Sequence, residues 1–498
     1  MEHKEAQNLH ANRRECALLK GDSPHPSRPH LPATVSQETW HRVHTLFRHL
    51  LSSANNNNED LDIDPLAPVW SDALADLCLF ARNAFAMDES NQDLANHVGI
   101  VTDITDTIRL MLRCEMTYVE AKRCGTVAGQ ALSNVATDNK AIQRQLMEGE
   151  LRDCREPIES VYWYLLASTD RKTNVAGLML VLNAVKDDAE LTELLCLSEA
   201  GQVLVRKIGE MFGDSRDDED DEKTVMYVIL AQVIGNGYLG LLLTSDSPLD
   251  AYGLLNALAV YCNENSGAGG GGGGGGVYSK VVDARLLASI DRVLAKCHDL
   301  LQSVWQSAQT EDCNVDMEDI MAAHRSLAFT VSILGTITTD LEQRFAARIL
   351  DSGIINQVVA LLGLLSQNLP RIEKASTAPG NNGTLETKDD SIKRLFMFKG
   401  NLIQIIGNIS YHNPSAQDLV RELDGLALVL DHMRIDENHP FIKEYAVVAL
   451  RSLLENNAAN QAYVSNMEAK GVVQDPKLAS AGVQATLGPD GRLSVKKG

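Results

Sequence analysis

The chain has 498 residues, 44% of them hydrophobic and only 5% aromatic, with a formal charge of −22 and a pI near 5.0. Leu, Ala, Val and Ile dominate, which favours helix-on-helix packing over an aromatic-rich β-sandwich. The acidic excess excludes a nucleic-acid backbone or an anionic membrane surface as partner, because both need basic patches.

Residues 1–37 are polar, contain Pro and lack an apolar h-region, so they read as a disordered extension and not as a secretory signal. A helix is expected over 40–51, then an Asn-rich loop over 52–65. Apolar periodicity predicts helices over 69–96, 104–124, 128–148, 158–167 and 175–185. Residues 213–223 form an acidic insertion. Residues 225–244 hold no charge, but Asn236-Gly237 is a turn signal, so two short buried helices are expected there rather than a membrane span. The poly-Gly insertion 267–276 has the composition of a tether. Helices follow over 282–309, 317–337 and 341–364, then a loop over 371–391, a C-terminal helical domain over 392–468 and a polar, flexible tail over 469–498. No period-2 alternation predicts a strand.

An internal repeat points to an array. Asn83 precedes Gln92 by nine residues; Asn134 precedes Gln143, Asn408 precedes Gln417, and Ser452 precedes Gln461 in the same frame. Each pair straddles the end of a long apolar helix and the start of the next. Armadillo and HEAT units run about 40–47 residues, and the last two copies are 44 residues apart. The fold class expected is all-α, an armadillo/HEAT-like α-solenoid over 38–370 that continues into the C-terminal domain. Insertions map to its loops.

No catalytic constellation is present: no P-loop, no Gly-x-Ser-x-Gly and no His-Glu-x-x-His. The nine cysteines are odd in number, contain no Cys-x-x-Cys, and read as small buried hydrophobes in a reducing compartment. Met111, Cys114 and Met116 offer soft ligands suited to Cu(I), but Met116 points away from the other two on a helix. His41 and His44 share a helix face beside His49 without a carboxylate close in sequence. No cofactor or metal site is expected. Asn83, Asn134 and Asn408 serve either as peptide-binding groove residues or in hydrogen bonds between repeats; the irregular Trp40, Trp70, Trp163 and Trp305 do not make the Trp ladder of a nuclear-import receptor. The acidic run 217–222 is a solvated loop or a dock for a basic segment. Ser23-Pro24 and Ser247-Pro248 fit proline-directed phosphorylation.

The stretch 398–461 carries the most information. Phe398, Leu402, Ile405, Ile406 and Ile409 make one helical stripe. Asn413-Pro414 is a cap-and-start signal, Asp424-Gly425 a stop, and Asp436 to Asn438 precede a helix at 440–454 that is apolar round most of its circumference. Its stripes are Phe441, Tyr445 and Val448, and Ile442, Ala446, Ala449, Leu450 and Leu453. Such a helix is expected to be buried between neighbours. The residues Gly407-Asn408, Gln417-Asp418, Glu422 to Gly425, Pro440 to Ile442, Glu444, Arg451, Glu455 and Asn460-Gln461 resemble the C-terminal domain of ataxin-10 proteins, the fungal-type homologs included. Tyr445 and Ser452 depart from the family's usual Trp and Asn.

That resemblance implies a cytoplasmic, armadillo-like protein linked to cytokinesis and cell division. The residue reading adds a non-enzymatic scaffold that binds other proteins, with self-association open to it, and neither nucleic acid nor membrane. The expected interaction surface is the polar edge Lys443, Glu444 and Arg451, with Asn408 and Gln417 from the preceding unit. A copper-handling protein and a regulator of a nucleotide-binding signalling protein are the alternatives.

Overall fold

The computed structural model describes residues 34–56, 67–113, 119–152, 156–215, 221–243, 252–266, 281–310, 317–339, 345–369, 371, 390–467, 483–488 and 493–497. The insertions at 213–223 and 267–276, the loop at 371–391, the extension 1–37 and the tail from 469 fall wholly or partly outside them, as do Cys114, Met116 and the two Ser-Pro sites. Two compact units divide the chain, residues 1–243 and 244–498.

The first unit contains α1 (Gln37–Asn56), α2 (Ala67–Phe85), α3 (Glu89–Val98), α4 (Ile100–Arg113), α5 (Val119–Ala136), α6 (Lys140–Leu151), α7 (Val161–Ala167), α8 (Arg171–Val185), α9 (Ala189–Leu197), α10 (Glu199–Asp214), α11 (Asp221–Gly235) and α12 (Leu239–Leu242). Like stacks on like. The third helices α2, α5, α8 and α11 pack in a row, each against the next, and so do the second helices α1, α4, α7 and α10. This is the helix order of an armadillo-like solenoid. Its interior is aliphatic, with Trp40 stacked on Phe85 and edge-on to Phe80 as its main aromatic cluster.

Several expected helices are in fact two. The single helix expected over 69–96 breaks at Met87-Asp88, because the Asp88 carboxylate caps the backbone N–H of Ser90 and starts α3. The helix expected over 128–148 breaks the same way. Asp138 takes a left-handed conformation at φ 56°, and Asn139 then caps Ile142. Asp and Asn tolerate that conformation better than other side chains. Between α11 and α12 the chain turns at Gly237, φ 82°, with Ile229, Leu230, Val233, Ile234 and Leu242 buried on either side.

The second unit contains α13 (Tyr252–Ser266), α14 (Ala284–Thr310), α15 (Met317–Thr338), α16 (Ala346–Asp351), α17 (Ile354–Asn368), α18 (Asp390–Ser410), α19 (Pro414–Glu422), α20 (Gly425–Asp431), α21 (Ile442–Leu454) and α22 (Ala458–Ser465). Its third-helix row is α13, α15, α18 and α21, and its second-helix row α14, α17 and α20. Within α15, Ile320–Thr338 is long and apolar enough to cross a membrane by length and composition. Here Leu327, Val331, Leu334 and Ile337 are buried, and the helix packs on α13, α14 and α18.

An antiparallel hairpin follows, β1 (Val483–Leu487) and β2 (Leu493–Lys497), pairing Ala485 with Val495 and Leu487 with Leu493. The sequence reading contained no strand. The alternation here spans only five residues a side, Val-Gln-Ala-Thr-Leu and Leu-Ser-Val-Lys-Lys, around Gly488-Pro489-Asp490-Gly491, which is a turn signal.

Candidate functional site

The junction between the third helix α15 and the next first helix α16 has seven residues, 339–345, while six other such junctions have three: 86–88, 137–139, 186–188, 236–238, 411–413 and 455–457. In four of them the middle residue is left-handed and non-glycine: Asp138, Asp187, His412 and Asn456. The residue after it caps the new helix, as Asn139, Asp188, Asn413 and Asn457 do. Four positions beyond the cap, a polar side chain donates back to a carbonyl seven residues earlier. Gln143 reaches Ala136 O at 2.7 Å, Gln417 reaches Ser410 O at 3.1 Å and Gln461 reaches Leu454 O at 2.8 Å. These carbonyls belong to the last helical turn, which has no intrahelical donors of its own.

Gln92, four positions beyond the Asp88 cap, and Gln417 also grip the following repeat, and they do so through the same set of partners. The Gln92 amide donates to Asn134 O and Thr137 O, while its oxygen accepts from Asn139, which also bonds Asp93. The Gln417 amide donates to Ser452 O at 2.8 Å and Glu455 O at 3.2 Å, while its oxygen accepts from Asn457, which also bonds Asp418. The Asn457 and Arg421 bonds hold the Asp418 carboxyl below its ordinary range. The spaced Asn and Gln residues of the sequence are therefore the polar spine of the array. Asn134 donates to Arg82 O, Asn83 accepts from the Arg82 guanidinium, and Asn408 donates to Thr338 Oγ1 at 3.2 Å.

This separates the residues expected to form one surface. Gln417 is 1% exposed with its amide fully used, so it cannot face a partner. Asn408 is half-buried on α18. Lys443, Glu444 and Arg451 are exposed, and none makes a side-chain hydrogen bond or ion pair among the described residues. The 44-residue offset explains where they point. It maps Glu444, Val447 and Arg451 onto Gly400, Ile403 and Gly407 of α18. That side of α18 is covered by the next repeat. A Cβ on Gly400 would overlap the His439 ring, Ile403 is fully buried, and Gly407 meets Ala449 of α21. Lys443, Glu444, Val447 and Arg451 are thus exposed on the side of α21 that corresponds to the covered side of α18, and Glu444 and Arg451 stand where α18 has glycine.

The same offset maps Met397 and Gln404 of α18, and Tyr411 just after it, onto Phe441, Val448 and Glu455. Met397, Gln404 and Tyr411 are exposed, as are Phe441 (64%) and Val448 (62%). This corrects the expectation that both apolar stripes of 440–454 are buried. Ile442, Ala446, Ala449 and Leu453 are buried, Leu450 is half-buried, and the stripe through Phe441 and Val448 is open. Ile435, in the linker before α21, is likewise 64% exposed. Periodicity counted the apolar positions correctly but could not say that no described residue covers the second stripe.

The linker that carries Ile435 and Phe441 is fastened from within. Lys399 is buried and its ammonium donates to Leu369 O. Burial lowers its pKa, against the pull of Asp436 and Asp431. His432 Nδ1 lies 2.8 Å from Leu428 O and its Nε2 3.3 Å from Ser366 Oγ. His439 packs on Gly400 and edge-on to Tyr445. Burial holds both imidazoles below their ordinary pKa. Sequence reading passed over this cluster because Lys399, His432 and His439 are far apart in the chain.

The remaining candidates are structural. His44 pairs with buried Asp103 at 2.6 Å, beside Arg48 at 2.7 Å. Met111 is buried. Cys78, Cys124, Cys196, Cys262 and Cys297 are buried thiols, and burial raises the last four to about 12. Among the described residues no group of His, Cys, Asp and Glu could hold a metal.

Comparison with known proteins places a boundary around this region. Residues 398–496 match the spinocerebellar ataxia type 10 protein domain. Over 94 residues the chain is 48% identical to an ataxin-10 homolog of Saccharomyces cerevisiae, and over 99 residues 46% identical to ataxin-10 of Xenopus tropicalis. These alignments cover 19% and 20% of this chain, and 17% and 20% of those relatives. The chain thus spans about a fifth of the length of the curated relatives it matches. A solved structure of SYS-1 is 12% identical, covering 96% of this chain and 80% of that one, with a TM-score of 0.34, too low to define a shared fold.

Proposed function

From the match of residues 398–496 to the spinocerebellar ataxia type 10 protein domain, we propose that the chain is an ataxin-10-type, non-enzymatic, cytoplasmic scaffold that binds other proteins in the control of cytokinesis. The observation that carries the binding role is the exposed apolar row Met397, Tyr411, Phe441 and Val448 on the open side of α18 and α21. Folded monomers rarely leave such a row uncovered unless it binds something. The repeat architecture supports the same reading, because stacked helices present long ligand-binding surfaces without needing a catalytic centre. Cytokinesis and the cytoplasmic location rest on the family.

The test uses the paired substitution Phe441→Glu and Val448→Glu. Both side chains are exposed, so the melting temperature should hold while partners recovered by quantitative affinity purification drop out. A folded variant that recovers the same partners in the same amounts overturns the surface. Depletion in the native host should raise the fraction of multinucleate cells; unchanged division would remove the cytokinesis assignment and leave the scaffold.

A further inference from the structure

The linker 432–441, between α20 and α21, is seated by ionisable side chains. Its buried residues are His432, Asp436 and His439. Its apolar side chains do the reverse: Ile435 and Phe441 are exposed and Met433 is half-buried. Asp436 shapes the turn, since its carboxylate accepts from Asn438 N at 3.0 Å and its carbonyl from His439 N at 3.0 Å. His439 O then accepts from Ile442 N at 3.1 Å. The seat of this imidazole is thereby tied to the first turn of α21 and to Phe441.

Beneath the linker lies buried Lys399 of α18, which attracts Asp436 and repels both imidazoles. Among the described residues, the other charged groups acting on this seat are Asp431 of α20 and Arg371, just after α17. Ser366 of α17 contacts His432, and Tyr445 of α21 meets His439 edge-on. With both rings neutral, the buried ammonium and carboxylate balance. Protonating both rings sets three cations against Asp436 where water is excluded. Asp436 and the Leu428 and Met397 carbonyls favour the charged rings, but burial outweighs them. The contact between α18 and α21 has no such weakness, because Ile403, Ala446, Ala449 and Leu453 are buried and aliphatic.

We propose that the linker 432–441 is an acid-released latch: when His432 and His439 take up protons, it leaves its seat on Lys399 while α21 stays packed on α18. Phe441, at its end, then moves away from the row it shares with Met397 and Val448. The release follows from the seat alone; its effect on partners rests on the binding role proposed for that row. Histidine is suited to such a switch because it changes charge within a small range around pH 6.5.

Amide hydrogen exchange of the full-length chain, followed by mass spectrometry at pH 7.5 and 5.5 and corrected for intrinsic exchange, tests this without any partner. The amides of Asn438, His439 and Ile442 carry the signal, because each is bonded within the turn. A released imidazole titrates near pH ~6.5, so moving to pH 5.5 favours the open linker by about tenfold for each ring that stays neutral in its seat. Peptides over 433–442 should therefore lose at least about tenfold in protection, while peptides over 402–409 and 446–454 change by less than about twofold. Unchanged protection over 433–442 overturns the proposal. A parallel loss in all three segments also overturns it, since the whole repeat is then unfolding. His439→Gln removes one ring and should take about tenfold off the response; a response of wild-type size overturns the role of His439. None of these readings depends on the outcome for Phe441→Glu and Val448→Glu, so the latch and the binding surface fail separately.

Discussion

A Cβ placed on Gly407 would lie 2.9 Å from the Cα of Ala449, so α18 and α21 meet backbone to backbone at that point. Only glycine allows this approach, and it seats the last repeat of the second unit on the one before. Gly407→Val should therefore destabilise by about 2 kcal/mol, through overpacking that outweighs any gain in helix propensity. Urea denaturation of the full chain measures it; an unchanged midpoint would mean the two helices can part at no cost.

Gln417 and Gln461 occupy the same place in successive repeats but differ in what they hold. Gln417→Ala leaves three buried carbonyls without their donor and should cost about 2–3 kcal/mol. Gln461→Ala removes one exposed bond and should stay within about 0.5 kcal/mol. Comparing the two thermal unfolding curves checks the polar spine directly, since equal effects would contradict it.

Replacing Lys443, Glu444 and Arg451 together by Ala should leave the fold intact, within about 0.5 kcal/mol, because none of the three ties helices together among the described residues. Leu453→Asp, on the buried stripe of the same helix, should instead lose several kcal/mol by burying an unpaired carboxylate. Circular dichroism during urea titration separates them. A triple variant that melts early would show these charges to be structural.

Stability should fall as the pH is lowered through the ordinary imidazole range. His432 and His439 have native pKa values below the value near 6.5 of the unfolded chain. Below pH ~6.5 the unfolded state binds protons that the native state resists, so their contribution is fully present above that pH and declines beneath it. Each unit of depression corresponds to about 1.4 kcal/mol. Melting temperatures at pH 7.5 and 5.5 should differ in the wild type, and differ less after His439→Gln. Asp103 and Glu150, raised by burial, act with the opposite sign but in the carboxylate range.

Much of this architecture was legible in the sequence, for physical reasons that can be named. Asn413-Pro414 announced a helix start because capping is local chemistry, and Asn413 does cap Ala416. The Asn-x8-Gln spacing was readable because the junction repeats at fixed length. Its meaning was not: nine residues of spacing cannot tell whether Gln417 turns outward to a partner or inward to Ser452 O and Glu455 O. The open stripe through Phe441 and Val448 was hidden for the same reason, since periodicity marks apolar faces and not what covers them. The hairpin was lost because alternation over five residues barely exceeds chance.

The three-residue junctions also set where the chain can change length. Adding one residue before Gln417 would rotate it by about 100° around the helix, away from all three carbonyls, so these corners cannot lengthen. Residues 57–66, 216–220 and 372–389 each fall between a second helix and a third, away from these six corners, whereas the poly-Gly insertion 267–276 follows the third helix α13 at a corner that is not one of the six. A fluorescent protein or an affinity tag inserted within 372–389 should leave the neighbouring repeats in register, whereas one inserted at 411–413 should not.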